Sequence, residues 1–201
     1  MSFPDAVALA SRNPGKIREI LAICSEWPVR WMTADRDPGP WPEVDETGTT
    51  YLENARLKAE ALTQARGMAS LADDSGIEVD ALGGAPGPRS ARFAGEHASD
   101  RENLDRLIEL IRDVPPAGRG ARYRCVAVLI LPDRSELVGE GTCEGTLIVE
   151  PRGSGGFGYD PIFVPAGGSQ TMAELGSEEK NRISHRGRAL RALGAGLSAA
   201  S

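Results

Sequence analysis

Apolar positions along the chain alternate between short runs and helical stripes. Residues 6–10 form a brief apolar run that reads as a buried first strand, residues 16–25 carry a helical pattern, and residues 29–32 read as a second strand. A Pro/Gly/Asp-rich stretch, 33–48, follows and is long enough as a loop to suggest function. The next helix has clear signals. Thr50 and Glu53 fit a capping box, Leu52, Ala55, Ala59 and Leu62 fall on one stripe, and Gly67 can end it. Residues 69–72 read as a short strand that delivers Asp73 and Asp74, and 77–82 as another strand before the loop GGAPGPRSARFAG. Ser99 and Glu102 make a second capping box, with Leu104, Leu107, Ile108 and Ile111 as the stripe behind it. Residues 122–131 and 136–149 read as long strands joined by the turn Pro132-Asp133-Arg134-Ser135. A glycine-rich loop follows, and then polar helical segments around TMAEL and SEEKNRISHRGRALRAL. There is no repeat and no interdomain linker, so residues 1–201 read as one α/β domain with a mixed sheet.

Composition narrows the classes. Apolar residues at 40% and charged residues at 26% describe a globular protein able to bury a core. A net charge of −6 argues against a general partner such as a nucleic-acid polymer or a membrane surface, since both attract a basic field. It leaves room for a small phosphorylated ligand in a local basic pocket. Cys24, Cys125 and Cys143 are scattered and odd in number, which argues against a zinc site or disulfide framework and for a reducing compartment. The N-terminus has no basic region ahead of its apolar run and no stretch approaches a membrane span, so the expected address is cytoplasmic.

Four stretches carry candidate chemistry. In ASRNPGK, residues 10–16, a strand running into a helix through Asn13-Pro14-Gly15 offers free N–H groups beside Lys16, a workable phosphate cradle, or else a plain tight turn with a surface lysine. It is not a Walker A loop. GSGGFG, residues 153–158, matches G-x-G-x-x-G, but Tyr159-Asp160-Pro161 follows where a Rossmann helix would begin, which excludes that reading. Its glycines fit a close backbone approach to a ligand and Phe157 offers a flat face for stacking; the alternative is a flexible hairpin loop. KNRISHR packs Lys180, Arg182, Arg186 and His185 into seven residues of an acidic chain. On one helix Arg182 and Arg186 would share a face, suited to phosphate oxygens or a purine carbonyl, though such runs are commonly solvated faces. The acids are Glu43, Asp45 and Glu46 in PEVDETG, and Asp73 and Asp74 in LADDSG. Hard oxygen ligands without paired Cys or His favour Mg²⁺, with Mn²⁺ the alternative, while the competing reading of the Asp pair is a turn with capping carboxylates. Adjacent carboxylates in apolar sequence repel and resist desolvation, so something must offset them. No G-x-S-x-G elbow is present, so water is the expected attacker on a nucleoside polyphosphate bound with metal.

Five stretches, SRNPGK, DETGTTYLENARLKA, LADDSGIEVDALGGAPG with SARFAG, GGFGYDPIF and EEKNRISHRGRAL, occur together in order and cover nearly the whole chain. In this the sequence resembles the inosine triphosphate pyrophosphatase family. The resemblance implies a two-lobed α/β fold with a long mixed β-sheet flanked by helices, an active cleft between the lobes, and a homodimer. It implies hydrolysis of non-standard purine nucleoside triphosphates (ITP, dITP, XTP) to the monophosphate and pyrophosphate. Carried over by motif, Ser11, Arg12, Asn13, Pro14, Gly15 and Lys16 would hold the triphosphate. Asp74 would be general base and metal ligand, and Ser75 a substrate contact. Phe157, Gly158, Tyr159 and Asp160 would surround base and sugar, Lys180 would reach phosphate, and His185 and Arg186 would meet the purine 6-keto edge. Asp45, or else Glu46, would complete the metal site. The chain departs from the family at Arg12 (often Gly), at Asp45 (usually Glu) and at Arg89 (often aromatic). A pyrophosphatase for modified pyrimidine triphosphates and a non-catalytic nucleotide-binding protein are the rival readings.

Overall fold

A computed structural model gives the protein's structure and describes residues 3–199. Six strands form a mixed sheet in the order β2-β1-β3-β4-β5-β6, namely β1 (Ala6–Leu9), β2 (Arg30–Met32), β3 (Ser70–Val79), β4 (Gly120–Ile130), β5 (Glu136–Leu147) and β6 (Phe163–Pro165). β1 pairs in parallel with both β2 and β3, while β6 runs antiparallel to β5. Among the described residues five α-helices accompany them, α1 (Pro14–Ile23), α2 (Tyr51–Arg66), α3 (Asp100–Ile111), α4 (Ser177–Ile183) and α5 (His185–Ala199). The chain divides into two compact units, one of 1–74, 125–141 and 186–201, the other of 75–124 and 142–185.

The first unit is built on strand alternation. Successive strand side chains point to opposite faces. Leu71 of β3 with Cys125, Ala127 and Leu129 of β4 joins one core cluster, together with Ile20 and Cys24 of α1 and Ala189, Leu190 and Leu193 of α5. Ala72 of β3 with Val126, Val128 and Ile130 of β4 joins another, together with Tyr51, Ala55 and Ala59 of α2. Each leucine or isoleucine so buried contributes about 1.5–3 kcal/mol. α2 begins and ends as its sequence predicts. Thr50 caps Glu53 N–H, the Glu53 carboxylate accepts from the Thr50 N–H, and Gly67 closes the helix at φ 63°.

The second unit has its own core. Leu104, Leu107 and Ile111 of α3, capped by Ser99 and Glu102, pack with Ile77, Val79, Tyr123, Ile162 and Phe163.

Three expectations change. The Asp pair does not interrupt two short strands but lies within the continuous strand β3. Residues 80–82 form a 3₁₀ turn instead of strand. The run 177–199 is not one helix: Ser184, at ψ 156°, breaks it into α4 and α5, so Arg182 and Arg186 share no helical face. TMAEL forms turns, with the Thr171 N–H bonded to the Glu174 carboxylate, and is not helical.

Candidate active site

In the first unit, β3 answers the question raised by the adjacent acids. As neighbours on a strand, Asp73 and Asp74 project to opposite faces and meet different cations. Asp73 Oδ2 lies 3.0 Å from Arg186 Nη2 and 3.3 Å from Lys16 Nζ. Asp74 Oδ1 lies 3.1 Å from Lys58 Nζ, and its Oδ2 accepts from Asn54 Nδ2 at 3.3 Å. Burial raises the energy of both charges, yet the outcomes differ. At Asp73 burial is outweighed by Lys16, Arg186 and Lys58, which hold the carboxyl well below the usual carboxylate range. At Asp74 burial wins over Lys58 and Lys16, and the carboxyl titrates above its ordinary value.

The strand-to-helix turn forms at 10–16, but the N–H groups expected to be free there are taken up by Asn13. The Asn13 side chain caps α1, accepting from the Gly15 and Lys16 N–H groups at 2.8 and 3.0 Å, with Pro14 opening the helix. Ser11 Oγ accepts from the Asn13 N–H. Arg12 turns away from this cap to pair with Glu43 and with the Trp41 carbonyl, tying the cradle to the acidic loop.

That loop, 33–48, brings Glu46 and not Asp45 to the acid site. Glu46 Oε1 lies 2.9 Å from Lys58 Nζ, the same ammonium that contacts Asp74. Asp45 is exposed, and its backbone oxygen accepts from Thr47. Among the described residues no group of three or more His, Cys, Asp or Glu converges as a metal nest. Two hard carboxylates meeting one cation, however, are the donor set that Mg²⁺ or Mn²⁺ takes together with phosphate oxygens and water. Gly48 enables this packing: a Cβ there would lie 2.6 Å from Asn54 Oδ1, the side chain that accepts the Gly48 N–H and donates to Asp74.

In the second unit, Asp160 is a buried hub. Its Oδ2 accepts from Lys180 Nζ at 2.6 Å and from the Phe157 N–H at 2.8 Å, and its Oδ1 from the Tyr123 hydroxyl at 3.3 Å. Lys180 Nζ also lies 5.1 Å from the centre of the half-buried Phe157 ring. The expectation that the glycines of this loop open it to a ligand needs refining. Gly156, at φ 70°, has space only for hydrogen, because a Cβ would sit 2.1 Å from Asp160 Oδ2. Tyr159 is directed into the core, its hydroxyl donating to the Ser90 carbonyl at 2.7 Å, and Gly158 N–H donates to Asp100. His185 stacks on Tyr123, ring centres 4.6 Å apart and nearly parallel at 11°. Ser75 is half-buried in β3 directly after Asp74.

The resemblance puts Arg186 at a purine edge. It is 1% exposed, with Nε and Nη2 donating to Asp73 and Nη1 donating to Glu19 at 2.5 Å. Sequence reasoning missed Asn54 and Lys58. Their signal was available, since positions 51, 54, 55, 58, 59 and 62 form one helical stripe, and a polar pair inside an apolar stripe is informative. Lys16, Lys58 and Lys180 are the only lysines of the sequence, and each makes an ion pair with a buried aspartate of these two clusters.

A mixed sheet flanked by helices, whose buried acids pair with lysines beside an Asn-Pro-Gly helix cap, defines the class: an α/β protein with the fold of the inosine triphosphate pyrophosphatases. The Ham1 family model matches residues 7–195. The chain belongs to the Ham1 family. A dITP/XTP pyrophosphatase of Streptomyces coelicolor is 53% identical over 186 residues, 92% of this chain and 93% of that one. A dITP/XTP pyrophosphatase of Bacillus licheniformis is 45% identical over 196 residues, 96% of this chain and 98% of that one. The solved structure of a HAM1 protein from Coxiella burnetii superposes with a TM-score of 0.84 at 37% identity, covering 96% of this chain and 98% of that one.

Proposed function

We propose that this protein hydrolyses non-standard purine nucleoside triphosphates (ITP, dITP and XTP) to monophosphate and pyrophosphate. One observation carries the chemistry: the buried Asp74 carboxylate, held by Lys58 and Asn54, stands beside a second acid, Glu46, on a shared cation. The names of its relatives, dITP/XTP pyrophosphatases over nearly the full chain, support the substrate class.

In this reading Asp74 accepts a proton from water as that water attacks the α-phosphorus. The bond from the α-phosphorus to the bridging oxygen breaks, and pyrophosphate carries away the electron pair. Burial makes Asp74 a stronger base than an exposed aspartate while Asn54 fixes the orientation of its second oxygen. A divalent Mg²⁺ or Mn²⁺, held by Asp74 and Glu46, would supply charge stabilisation at the phosphates. The Lys16 ammonium, which lies 3.3 Å from Asp73, neutralises phosphate charge. Ser11 and Ser75 offer hydroxyl contacts. In the second unit Phe157 offers a ring face to the base, with His185 as hydrogen-bond donor toward a 6-keto group. Lys180 and Asp160 hold the loop that carries Phe157. Arg186 acts through Asp73 instead of touching the base. The enzyme is read as a cytoplasmic homodimer. Its three cysteines are free buried thiols, as a reducing compartment would keep them. Among the described residues no helix is long and apolar enough to cross a membrane.

The test is a panel of ITP, dITP, XTP, ATP, GTP and modified pyrimidine triphosphates, with pyrophosphate and orthophosphate detected separately. Pyrophosphate release from the 6-keto, 2-amino-free purines well above that from ATP is expected. Orthophosphate as the primary product, or a preference for pyrimidines, refutes the reading.

A further inference from the structure

The functional reading gives Lys58 no role beyond holding the Asp74 carboxylate. It stands on α2 one turn beyond Asn54, its side chain 14% exposed, and its ammonium lies 2.9 Å from Glu46 and 3.1 Å from Asp74. The two acids arrive from different directions in sequence, Asp74 from the centre of the rigid strand β3 and Glu46 from the irregular loop 33–48. The loop is tethered by Arg12 to Glu43 and the Trp41 carbonyl, by Arg66 over the Trp41 ring at 4.6 Å, and by Gly48 to Asn54. None of those tethers neutralises the charge of Glu46 and Asp74. Two carboxylates close together repel, and burial makes the repulsion costly. The Lys58 ammonium is the group in contact with both.

We infer that Lys58 is the resident counter-ion of the Glu46–Asp74 pair: it holds the two ligands together in the metal-free protein and gives them up when a divalent cation binds. The inference rests on the reading that these carboxylates hold such a cation. It follows from charge and space. A cation bound between Glu46 and Asp74 competes for the oxygens that Lys58 contacts, and an ammonium a few ångströms from a divalent ion repels it. Lys58 is therefore a positioning residue that weakens metal binding to the free enzyme while keeping its ligands assembled. On leaving the acids, its ammonium becomes available to an anionic phosphate, so that nucleotide and metal reinforce each other's binding.

The experiment needs no turnover. Mn²⁺ binding to the nucleotide-free protein is followed by the electron paramagnetic resonance of free Mn²⁺, in the parent, Lys58→Gln and Lys58→Arg. Lys58→Gln keeps a hydrogen-bond donor without the charge and is expected to bind Mn²⁺ about tenfold more tightly or better, while Lys58→Arg stays within about threefold of the parent. The same release of repulsion makes Mn²⁺ raise the melting temperature of Lys58→Gln by more than it raises that of the parent. Affinity in Lys58→Gln equal to or weaker than the parent's overturns the inference. The parent provides a measurement that does not depend on how a variant folds. With ¹⁵N-labelled lysine the chain has three side-chain ammonium groups, and Mg²⁺ alone is expected to shift that of Lys58 while leaving the Lys180 signal in place. A Lys58 signal indifferent to saturating Mg²⁺ also overturns it. A parent that releases pyrophosphate from ITP in the presence of Mg²⁺ but shows neither effect refutes this inference alone. A parent that neither binds Mn²⁺ nor releases pyrophosphate refutes the functional reading and this inference with it.

Discussion

Replacing Arg186 with methionine separates two roles for one side chain. The guanidinium is fully buried and spans Asp73 and Glu19, whose side chains are 1% and 13% exposed. Methionine preserves much of the volume but leaves both carboxylates short of a partner. Removing one member of a buried ion pair costs about 3–5 kcal/mol. Lys16, still 3.3 Å from Asp73, moderates the loss toward the lower figure. At about 3 kcal/mol a chain of this length should melt roughly 6–12 °C lower. The acid limb moves as well. Asp73 titrates well below its ordinary value of 3.8, so its stabilisation is present above that pH and is lost as pH falls below it. With Arg186 gone the depression is smaller, so less stability is lost as pH falls below 3.8 and the acid decline is shallower. Thermal and acid unfolding by circular dichroism measure both effects, and the ratio of kcat/KM for ITP over ATP measures base choice. Placed as it is, Arg186→Met lowers stability and leaves that ratio within about threefold. If Arg186 read the purine, the ratio would collapse by about 10²-fold or more while melting barely changed, and that result would defeat the structural assignment. A second cycle with Asp73→Asn should show coupling of about 1–3 kcal/mol between the two positions.

Three further outcomes are expected. Asp74→Asn should lower kcat by about 10²-fold or more with little change in binding of ITP, read by steady-state kinetics and calorimetry; near-normal turnover excludes Asp74 as the base. Gly156→Ala should loosen the Phe157 loop, because its Cβ would lie 2.1 Å from Asp160 Oδ2 and 2.9 Å from Lys180 Nζ; a raised KM with a lower melting temperature supports this, and parent-like values of both contradict it. Burial pushes the Cys24 thiol up to about 12 from 9.0, so the unfolded chain loses its proton first. The contribution of Cys24 is intact below pH 9 and declines between pH 9 and 12, by up to about 1.4 kcal/mol per pH unit. Urea unfolding of the parent against Cys24→Ala across that range should show a steeper alkaline decline in the parent, and parallel curves would contradict the burial argument.

The elements with local chemistry of their own were legible in the sequence. The two capping boxes at Thr50–Glu53 and Ser99–Glu102 place α2 and α3 because a few neighbouring residues settle where those helices start. The misreadings fall where tertiary contacts overrule local pattern. Asp-Asp-Ser-Gly looks like a turn, yet it extends through β3 because lysines and an arginine distant in sequence neutralise the acids. Ser184 carries no helix-breaking signal, yet the helical run changes direction there. Among the candidate site residues, Asp74, Lys16 and Asn13 could be found from their motifs. The choice of Glu46 over Asp45 could not, since it depends on where an irregular loop meets Lys58. The partners of Arg186 lie 113 and 167 positions away, beyond the reach of any spacing argument.

The opposed orientation of Asp73 and Asp74 makes this strand unusually sensitive to length. Shifting β3 by a single residue against its neighbours would exchange the surroundings of the two acids: Asp74 would be locked to the arginine, and Asp73 would face the lysine of α2. Every side chain would still be present, and none of the chemistry. A deletion anywhere between the start of β3 and Asp73 therefore threatens activity more severely than most substitutions within it.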